Sequence, residues 1–118
     1  MKKAIAILGA VVGLAFGAQA LTPPSFPGGE TALTNYITTN LRYPANAKDN
    51  GVEGVVSVTF TVKTDGSIGN IKIKRMVDPD LESEAVRLVK GMPAWVPAND
   101  NGTPVEQPAD VNIPFTLE

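Results

Sequence analysis

The stretch Gly54-Val55-Val56-Ser57-Val58-Thr59-Phe60 decides the fold of this chain, because apolar and polar side chains alternate along it. Alternation with a period of two predicts a strand that buries one face. Here the buried face carries Val56, Val58 and Phe60, and we expect the whole strand to cover Val52–Val62. A strand of this length, rich in β-branched residues, is expected at the centre of a sheet.

The residues on either side of this strand predict an α+β domain. Apolar residues at helical spacing predict one helix over Glu30–Leu41 and a second over Pro79–Lys90. Asp65-Gly66 predicts a hairpin turn into a strand at Ile68–Val77, and Val111–Leu117 alternates again as a last strand. Because strand–helix–strand connections cross over right-handed, the last strand should lie beside the first. We therefore expect two helices on one face of a three-stranded antiparallel sheet with strand order 2-1-3.

The first twenty residues predict export across the inner membrane. Lys2 and Lys3 precede the apolar run Ala4–Phe16, and Ala18-Gln19-Ala20 is the small-x-small pattern that signal peptidase cuts. The run is shorter than the roughly 20 apolar residues of a membrane-spanning helix. We expect residues 1–20 to be a cleaved signal peptide, with an uncleaved anchor as the alternative, and residues 21–118 to form one periplasmic domain. Membrane contact is expected only if the segment is retained.

Composition excludes several classes of function. The chain of 118 residues has no cysteine and no histidine, which removes disulfides, Ser-His-Asp triads, Cys-His pairs and ordinary zinc sites. Loss of residues 1–20 removes two of the 10 basic residues and leaves 8 against 12 acidic ones, a net charge of −4. An acidic domain is poorly suited to bind nucleic acid or anionic lipid. We expect no catalytic residue, no metal, no cofactor and no nucleic-acid partner.

Two features have both a structural and a functional interpretation. An acidic cluster formed by Asp78, Asp80, Glu82 and Glu84 lacks the glycine and the register of a calcium loop. We interpret it as negative charge that favours the N-terminus of the second helix. Trp95 is expected to cover the seam between helices and sheet, and the alternative is an exposed ring at a peptide groove.

Four motifs occur in the order found in the C-terminal domain of the TonB energy-transducer family. They are Phe26-Pro27-Gly28-Gly29, Arg42-Tyr43-Pro44, a Gly-x-Val-x-Val-x-Phe strand at residues 54–60, and Met92-Pro93-Ala94-Trp95. The chain therefore resembles that family over roughly Phe26–Leu117. The resemblance implies a protein-binding module of a Gram-negative envelope. It also implies that Arg42-Tyr43-Pro44 lies beside a groove that receives the TonB-box peptide of outer-membrane receptors. The structural alternative is that Pro44 stops the helix and Tyr43 packs on the core.

The outer strands of the predicted sheet suggest where such a peptide would add. Lys72, Lys74 and Arg75 lie on the Ile68–Val77 strand, and charged side chains oppose strand addition. The Val111–Leu117 strand has no lysine or arginine, so its edge is predicted to be receptive. Pro114 is expected to turn its missing donor outward. The predicted partner-binding residues are Arg42, Tyr43, Pro44, Val111, Asn112, Ile113, Pro114, Phe115 and Thr116.

Two functions stay open from the sequence. The first is a periplasmic protein-binding module that engages TonB-dependent receptors in energy-coupled transport. Family members that transmit force carry a membrane anchor and a long spacer, whereas the lead-in Leu21–Pro27 reaches only about 20 Å in extended form. The second is a structural envelope protein that self-associates, for example as a homodimer, or binds cell-wall polymer.

Overall fold

The computed structural model describes residues 4–5, 10–12 and 21–118. The helices described there, numbered in chain order, are α1 (Gly29–Asn40), α2 (Ala45–Asp49) and α3 (Pro79–Lys90). The strands described there are β1 (Ala4–Ile5), β2 (Ala10–Val12), β3 (Leu21–Thr22), β4 (Gly54–Val62), β5 (Ile68–Arg75), β6 (Ala98–Asp100), β7 (Thr103–Val105) and β8 (Gln107–Leu117).

The main sheet is built around β4. This strand is antiparallel to β5 on one side and to β8 on the other. The short strands β1 and β2 both pair with the far side of β8, so the described part of this sheet has five strands. The predicted α+β class is confirmed. The prediction of two helices and a three-stranded sheet is wrong for the described residues, because Ala45–Asp49 forms a short extra helix and β1 and β2 extend the sheet beyond β8.

The core lies between the helices and one face of the main sheet. Val56, Val58 and Phe60 of β4 are buried, as their alternation predicts. Leu33 and Ile37 of α1 and Leu81, Leu88 and Val89 of α3 belong to the same buried cluster. Burial of each large apolar side chain contributes about 1.5–3 kcal/mol, which lets packing hold α1 despite its threonines.

Trp95 is part of this core. Its side chain is only 3% exposed, and its ring contacts Phe60 and Phe26 edge-on at centroid distances of 5.1 and 5.9 Å. The interpretation of Trp95 as an exposed groove residue is therefore wrong, and its role as a core lid is confirmed. The backbone N–H of Trp95 donates to the Gly66 carbonyl at 2.9 Å.

Gly66 allows the β4–β5 hairpin to reach Trp95. Its φ is +87°, and a Cβ at this position would lie 2.2 Å from the Trp95 carbonyl oxygen. Only glycine adopts this conformation without strain and leaves room for the neighbouring backbone. The tip of the hairpin is thereby fixed against the loop that follows α3.

Several elements differ from the predictions. β5 ends at Arg75 and not at Val77, and β3, β6 and β7 form a second, unpredicted three-stranded sheet. Strands of two or three residues are too short to show a period in the sequence. Asn101 and Gly102 have positive φ and form the reverse turn between β6 and β7. Most of the predicted signal segment, including its cleavage motif at residues 18–20, lies outside the described residues.

Candidate partner-binding site

The two outer strands next to β4 present different edges. β8 pairs with β4 over nine consecutive residues, from Gly54 opposite Phe115 to Val62 opposite Gln107, without a register shift. The pairing of β4 with β5 has two register shifts, and each places one extra residue on β5. At one of these β-bulges, Asn70 has a φ of +51°. Bulges twist an edge away from further pairing.

Side chains along β8 alternate between the core and the opposite face of the sheet. Val111, Ile113 and Phe115 are almost fully buried, so within the predicted site they hold the strand in place. Asn112 lies on the other face, where its Oδ1 accepts a hydrogen bond from the Ser57 hydroxyl at 2.7 Å. Thr116 is exposed. A partner strand would therefore meet the backbone of β8 and its even-numbered side chains.

The direction of the Leu117 amide shows which backbone groups of β8 point away from β4. Its N–H donates to Oε2 of Glu53, the residue just before β4, and so points toward β4. Backbone groups of successive strand residues point to opposite sides. The N–H groups of Asp110, Asn112 and Thr116 therefore face the outer edge, as does the donor-less nitrogen of Pro114. This geometry agrees with an internal ladder that Pro114 leaves intact.

The outer edge of β8 pairs with residues of the N-terminal region. Ala10–Val12 lie antiparallel to it, with Ala10 opposite Val111 and Val12 opposite Ala109. Ala4 and Ile5 lie opposite Leu117 and Thr116. This edge of the sheet therefore accepts an antiparallel strand on both sides of Pro114.

Tyr43 links the two predicted halves of the site. Its ring contacts Phe115 of β8 edge-on at 5.6 Å, and its hydroxyl donates to the Val52 carbonyl just before β4. Burial, together with the nearby charges of Glu53 and Asp78, raises the pKa of Tyr43 above its ordinary value. The hydroxyl therefore stays a neutral donor at physiological pH, and the Tyr-Pro segment is fixed to the end of β8.

Arg42 is held on the side of α3. Its backbone N–H donates at 2.7 Å to Oε2 of Glu84, a carboxylate only 8% exposed. Arg87 donates to both oxygens of Glu84 at 2.6 and 2.8 Å and to the carbonyl of Asn40 at 2.8 Å. The end of α1 is thus capped by an ion pair on α3. Hydrogen bonds from cations to terminal carbonyls stabilise such helix ends.

A shallow cleft runs between the Tyr-Pro segment and α3. Its lining residues are Arg42, Tyr43, Pro44, Asp80, Ser83, Glu84 and Arg87. Within residues 21–118, no hydrogen bond or aromatic contact joins Arg42 or Pro44 to β8. The structure therefore brings Tyr43 to the predicted receptive strand, and it places Arg42 and Pro44 in the adjacent cleft.

The acidic cluster stabilises the start of α3. Asp78 is the N-cap, and its Oδ2 accepts hydrogen bonds from the N–H groups of Asp80 and Leu81 at 3.0 and 3.1 Å. Glu82 accepts from the Val77 N–H at 2.7 Å. The interpretation of the cluster as negative charge at the N-terminus of the second helix is confirmed for Asp78, Asp80 and Glu82. It is wrong for Glu84, which lies beyond the first turn and pairs with Arg87. No group of three or more acidic side chains in the described part of the chain is arranged to hold a metal ion.

The burial of Glu84 was not predicted from the sequence. A signal was present, because residue 84 follows Leu81 by three positions and precedes Leu88 by four, which places it beside the apolar stripe of α3. The pairing of residues 4–5 and 10–12 with β8 was also missed, since the apolar N-terminal run has no alternation that would indicate a strand. Among the described residues, no helix has the length and apolar character needed to cross a membrane.

Comparisons with known proteins agree with this architecture. The family model described as the Gram-negative bacterial TonB protein C-terminal matches residues 39–117. Two relatives, each named Protein TonB and from Helicobacter pylori strains J99 and 26695, are 39% identical over 49 residues. That match covers 42% of this chain but only 18% and 17% of the two relatives.

No solved structure gave a significant match to the chain. The family match covers more than half of the sequence and contains α3 with the three adjacent strands β4, β5 and β8. Its members are non-catalytic transducer proteins that act in the periplasm or cell envelope. The chain belongs to the TonB C-terminal domain family.

Proposed function

We propose that this domain binds an extended peptide of a TonB-dependent outer-membrane receptor by adding it as a strand to the outer edge of β8. The observation that carries the proposal is the edge itself. β8 pairs with β4 over nine residues without a register shift and has no lysine or arginine. The other edge of the sheet, formed by β5, is bulged and basic. The pairing of residues 4–5 and 10–12 with this edge of β8 supports its use as a template for an added strand, and a chain that begins at Leu21 would leave it open to a peptide.

The outward groups of β8 set the expected strength of binding. Three N–H donors, on Asp110, Asn112 and Thr116, and the neighbouring carbonyls allow about four to five new backbone hydrogen bonds. Each contributes about 1 kcal/mol net, and this must offset the entropy lost on association. Pro114 leaves a gap in the middle of the edge. We therefore expect a dissociation constant near the micromolar range.

The cleft beside Tyr43 supports the position of the ligand. The Tyr43 ring packs on Phe115, and this contact supports a ligand position along β8 on the side of the Tyr-Pro segment. Family membership supports the identity of the ligand as a receptor peptide that resembles a TonB box. The protein would then act in energy transduction or as an adaptor that binds the same receptors. We further propose that the active form is periplasmic and begins at Leu21, after cleavage behind Ala20.

A titration with a receptor-derived TonB-box peptide tests the site. The variant Thr116→Lys places a charge on the exposed part of β8 without removing a described contact and should weaken binding about tenfold. Asn112→Lys should also weaken binding, although it removes the hydrogen bond from Ser57. Lys72→Glu, on the opposite edge, is the control and should leave affinity within twofold. Equal loss in Thr116→Lys and Lys72→Glu would place the peptide elsewhere.

A further inference from the structure

A cavity of about 270 Å³ lies between the segment that leads into α1, α1 itself and the loop that follows α3. Its lining residues are Thr22, Pro23, Pro24, Ser25, Phe26, Gly29, Glu30, Leu33 and Trp95. An apolar cavity of about 150 Å³ is large enough to hold a benzene molecule. This cavity therefore has room for one apolar ring and a short polar group.

The cavity has an apolar wall and a polar mouth. The wall consists of buried apolar side chains, those of Pro24, Phe26, Leu33 and Trp95. The mouth consists of exposed polar side chains, those of Thr22, Ser25 and Glu30. Ligand sites in proteins commonly combine an apolar lining with a few placed polar groups. A ligand that fits here would bury an apolar body and keep a polar group at the mouth.

Ordered water is poorly suited to fill this cavity. A buried water makes about three hydrogen bonds to groups that are otherwise unsatisfied. Ser25 already exchanges two backbone hydrogen bonds with Val96, at 3.0 and 2.7 Å, and the Gly29 N–H donates to the Phe26 carbonyl at 2.8 Å. The two prolines of the lining have no N–H to offer. Several backbone groups that could hold a water are therefore already used or missing.

One donor in the wall has no partner. The indole Nε1 of Trp95 is buried and makes no hydrogen bond within the described residues. Most buried donors in native structures have a partner, because an unsatisfied one is costly. The wall beside it contains Pro23 and Pro24, which no backbone N–H fixes in place. A shift of these prolines would give the acceptor atom of a ligand access to the indole N–H.

The mouth of the cavity carries a negative charge. Glu30 is the only charged residue of the lining, and within residues 21–118 no salt bridge involves it. A carboxylate at the mouth attracts an ammonium group and repels an anion. The aromatic rings of Phe26 and Trp95 in the wall are also compatible with a nearby cation. The charge of the site therefore favours a cationic ligand.

We propose that this cavity binds a small amine that also has an apolar side chain and a carbonyl group, as an amino-acid amide or the first residue of a peptide has. The apolar side chain enters the wall, the ammonium group pairs with Glu30, and the carbonyl oxygen accepts a hydrogen bond from Trp95 Nε1. All lining residues except Trp95 precede residue 39, where the family match begins, and none belongs to β8. The proposal stands whether or not a receptor peptide binds to β8.

A titration of the protein, purified from envelope fractions, with phenylalanine amide tests the proposal. Trp95 is the only tryptophan of the chain, so its fluorescence and its single indole N–H resonance report on the cavity directly. We expect half-saturation at about 1 mM, since a ligand of about twelve non-hydrogen atoms binds weakly, together with a downfield shift of the indole proton. Phenethylamine, which lacks the carbonyl group, should bind about tenfold more weakly and leave the indole proton in place.

The variant Glu30→Gln should weaken binding of the amide about tenfold, because it removes the charge and keeps the length of the side chain. The matched control is Asp49→Asn on the exposed surface of α2, which should bind within twofold of the unaltered protein. A short peptide that begins with phenylalanine, compared with the amide, distinguishes a peptide terminus from a free amine, and saturable binding of either supports the proposal. Equal loss in both variants, equal affinity for the N-acetylated amide, no saturation at about 10 mM, or an indole resonance that does not move with the amide would overturn it.

Discussion

The β5 edge and the β8 edge of one sheet differ in almost every property that controls strand addition. β5 has two bulges and three basic residues, whereas β8 is unbroken opposite β4, has no lysine or arginine, and pairs with N-terminal residues on its outer side. The sheet is therefore protected on one side and receptive on the other. The comparison teaches that bulges and basic side chains occur together on the protected edge, since both are found on β5 and neither is found along β8.

Removal of the Phe60 ring should have the largest effect, because it weakens the strand that supports both edges. Phe60 is 1% exposed and contacts Trp95, so Phe60→Ala should lower the free energy of unfolding by about 3–5 kcal/mol. Chemical denaturation followed by Trp95 fluorescence measures the loss. Thr59→Ala, the next residue on the opposite face, is the control. A loss under about 1 kcal/mol for Phe60→Ala would show that the ring is not part of the core.

Gly66→Ala should damage the β5 side alone. The methyl group would meet the Trp95 carbonyl at 2.2 Å, and the positive φ adds strain, so we expect a loss of about 2–4 kcal/mol. Amide exchange should quicken along β5 and the loop at Trp95, while β8 remains protected. Uniform loss of protection on both edges would contradict the separation of the two sides.

Retention of residues 1–20 should weaken peptide binding. In the unprocessed chain, Ala10–Val12 compete with the peptide for the outer edge of β8. The apparent affinity for the peptide is therefore reduced in proportion to the fraction of molecules in which this edge is free. A variant with Ala18 and Ala20 changed to arginine, which blocks processing, can be compared with the processed protein by mass spectrometry and titration. We expect about tenfold weaker binding in the retained form. Equal affinities would mean that the N-terminal strands do not compete.

The smallest expected effect concerns the ion pair that links the two outer strands. Partial burial alone would raise the pKa of Asp110, but hydrogen bonds from Lys74 and Thr59 and the Lys74 charge lower it overall. A carboxyl group whose pKa is lower in the folded state than in the unfolded state stabilises the fold at pH values above its unfolded-state pKa. This stabilisation is lost as the pH falls through the folded-state pKa. The stability difference between the unaltered protein and Asp110→Asn should therefore shrink below about pH 4. A difference that stays constant from neutral to acid pH would rule out this linkage.

The elements that could be predicted from the sequence are those long enough to show a repeated pattern of apolar residues. Alternation over β4 and the apolar stripes of α1 and α3 located the core, and Asp78-Pro79 located the start of α3. Features that depend on tertiary neighbours could not be predicted in the same way. The burial of Glu84 requires Arg87 and the Arg42 amide to meet at one place, and the bulge at Asn70 depends on how β5 pairs with β4.

The candidate site was predicted less completely than the fold. The last strand without lysine or arginine and the Tyr-Pro segment were visible in the sequence, and the structure joins them through the contact between Tyr43 and Phe115. Inward and outward backbone groups of β8 could not be distinguished from the sequence, because that distinction needs the register with β4 and the direction of the Leu117 amide. The side of the sheet from which Lys72 and Arg75 project could also not be predicted, since it follows from the shifted register of β5 with β4.

The most direct test of the receptive edge is an NMR titration of the isotope-labelled protein, purified from envelope fractions, with the receptor-derived peptide. Strand addition should shift β8 amides and should slow hydrogen exchange at Asn112 and Thr116, whose N–H groups point outward. The amide of Ile113, which points toward β4, should keep its existing protection. Shifts concentrated on β5, or no binding at about 1 mM peptide, would contradict the account.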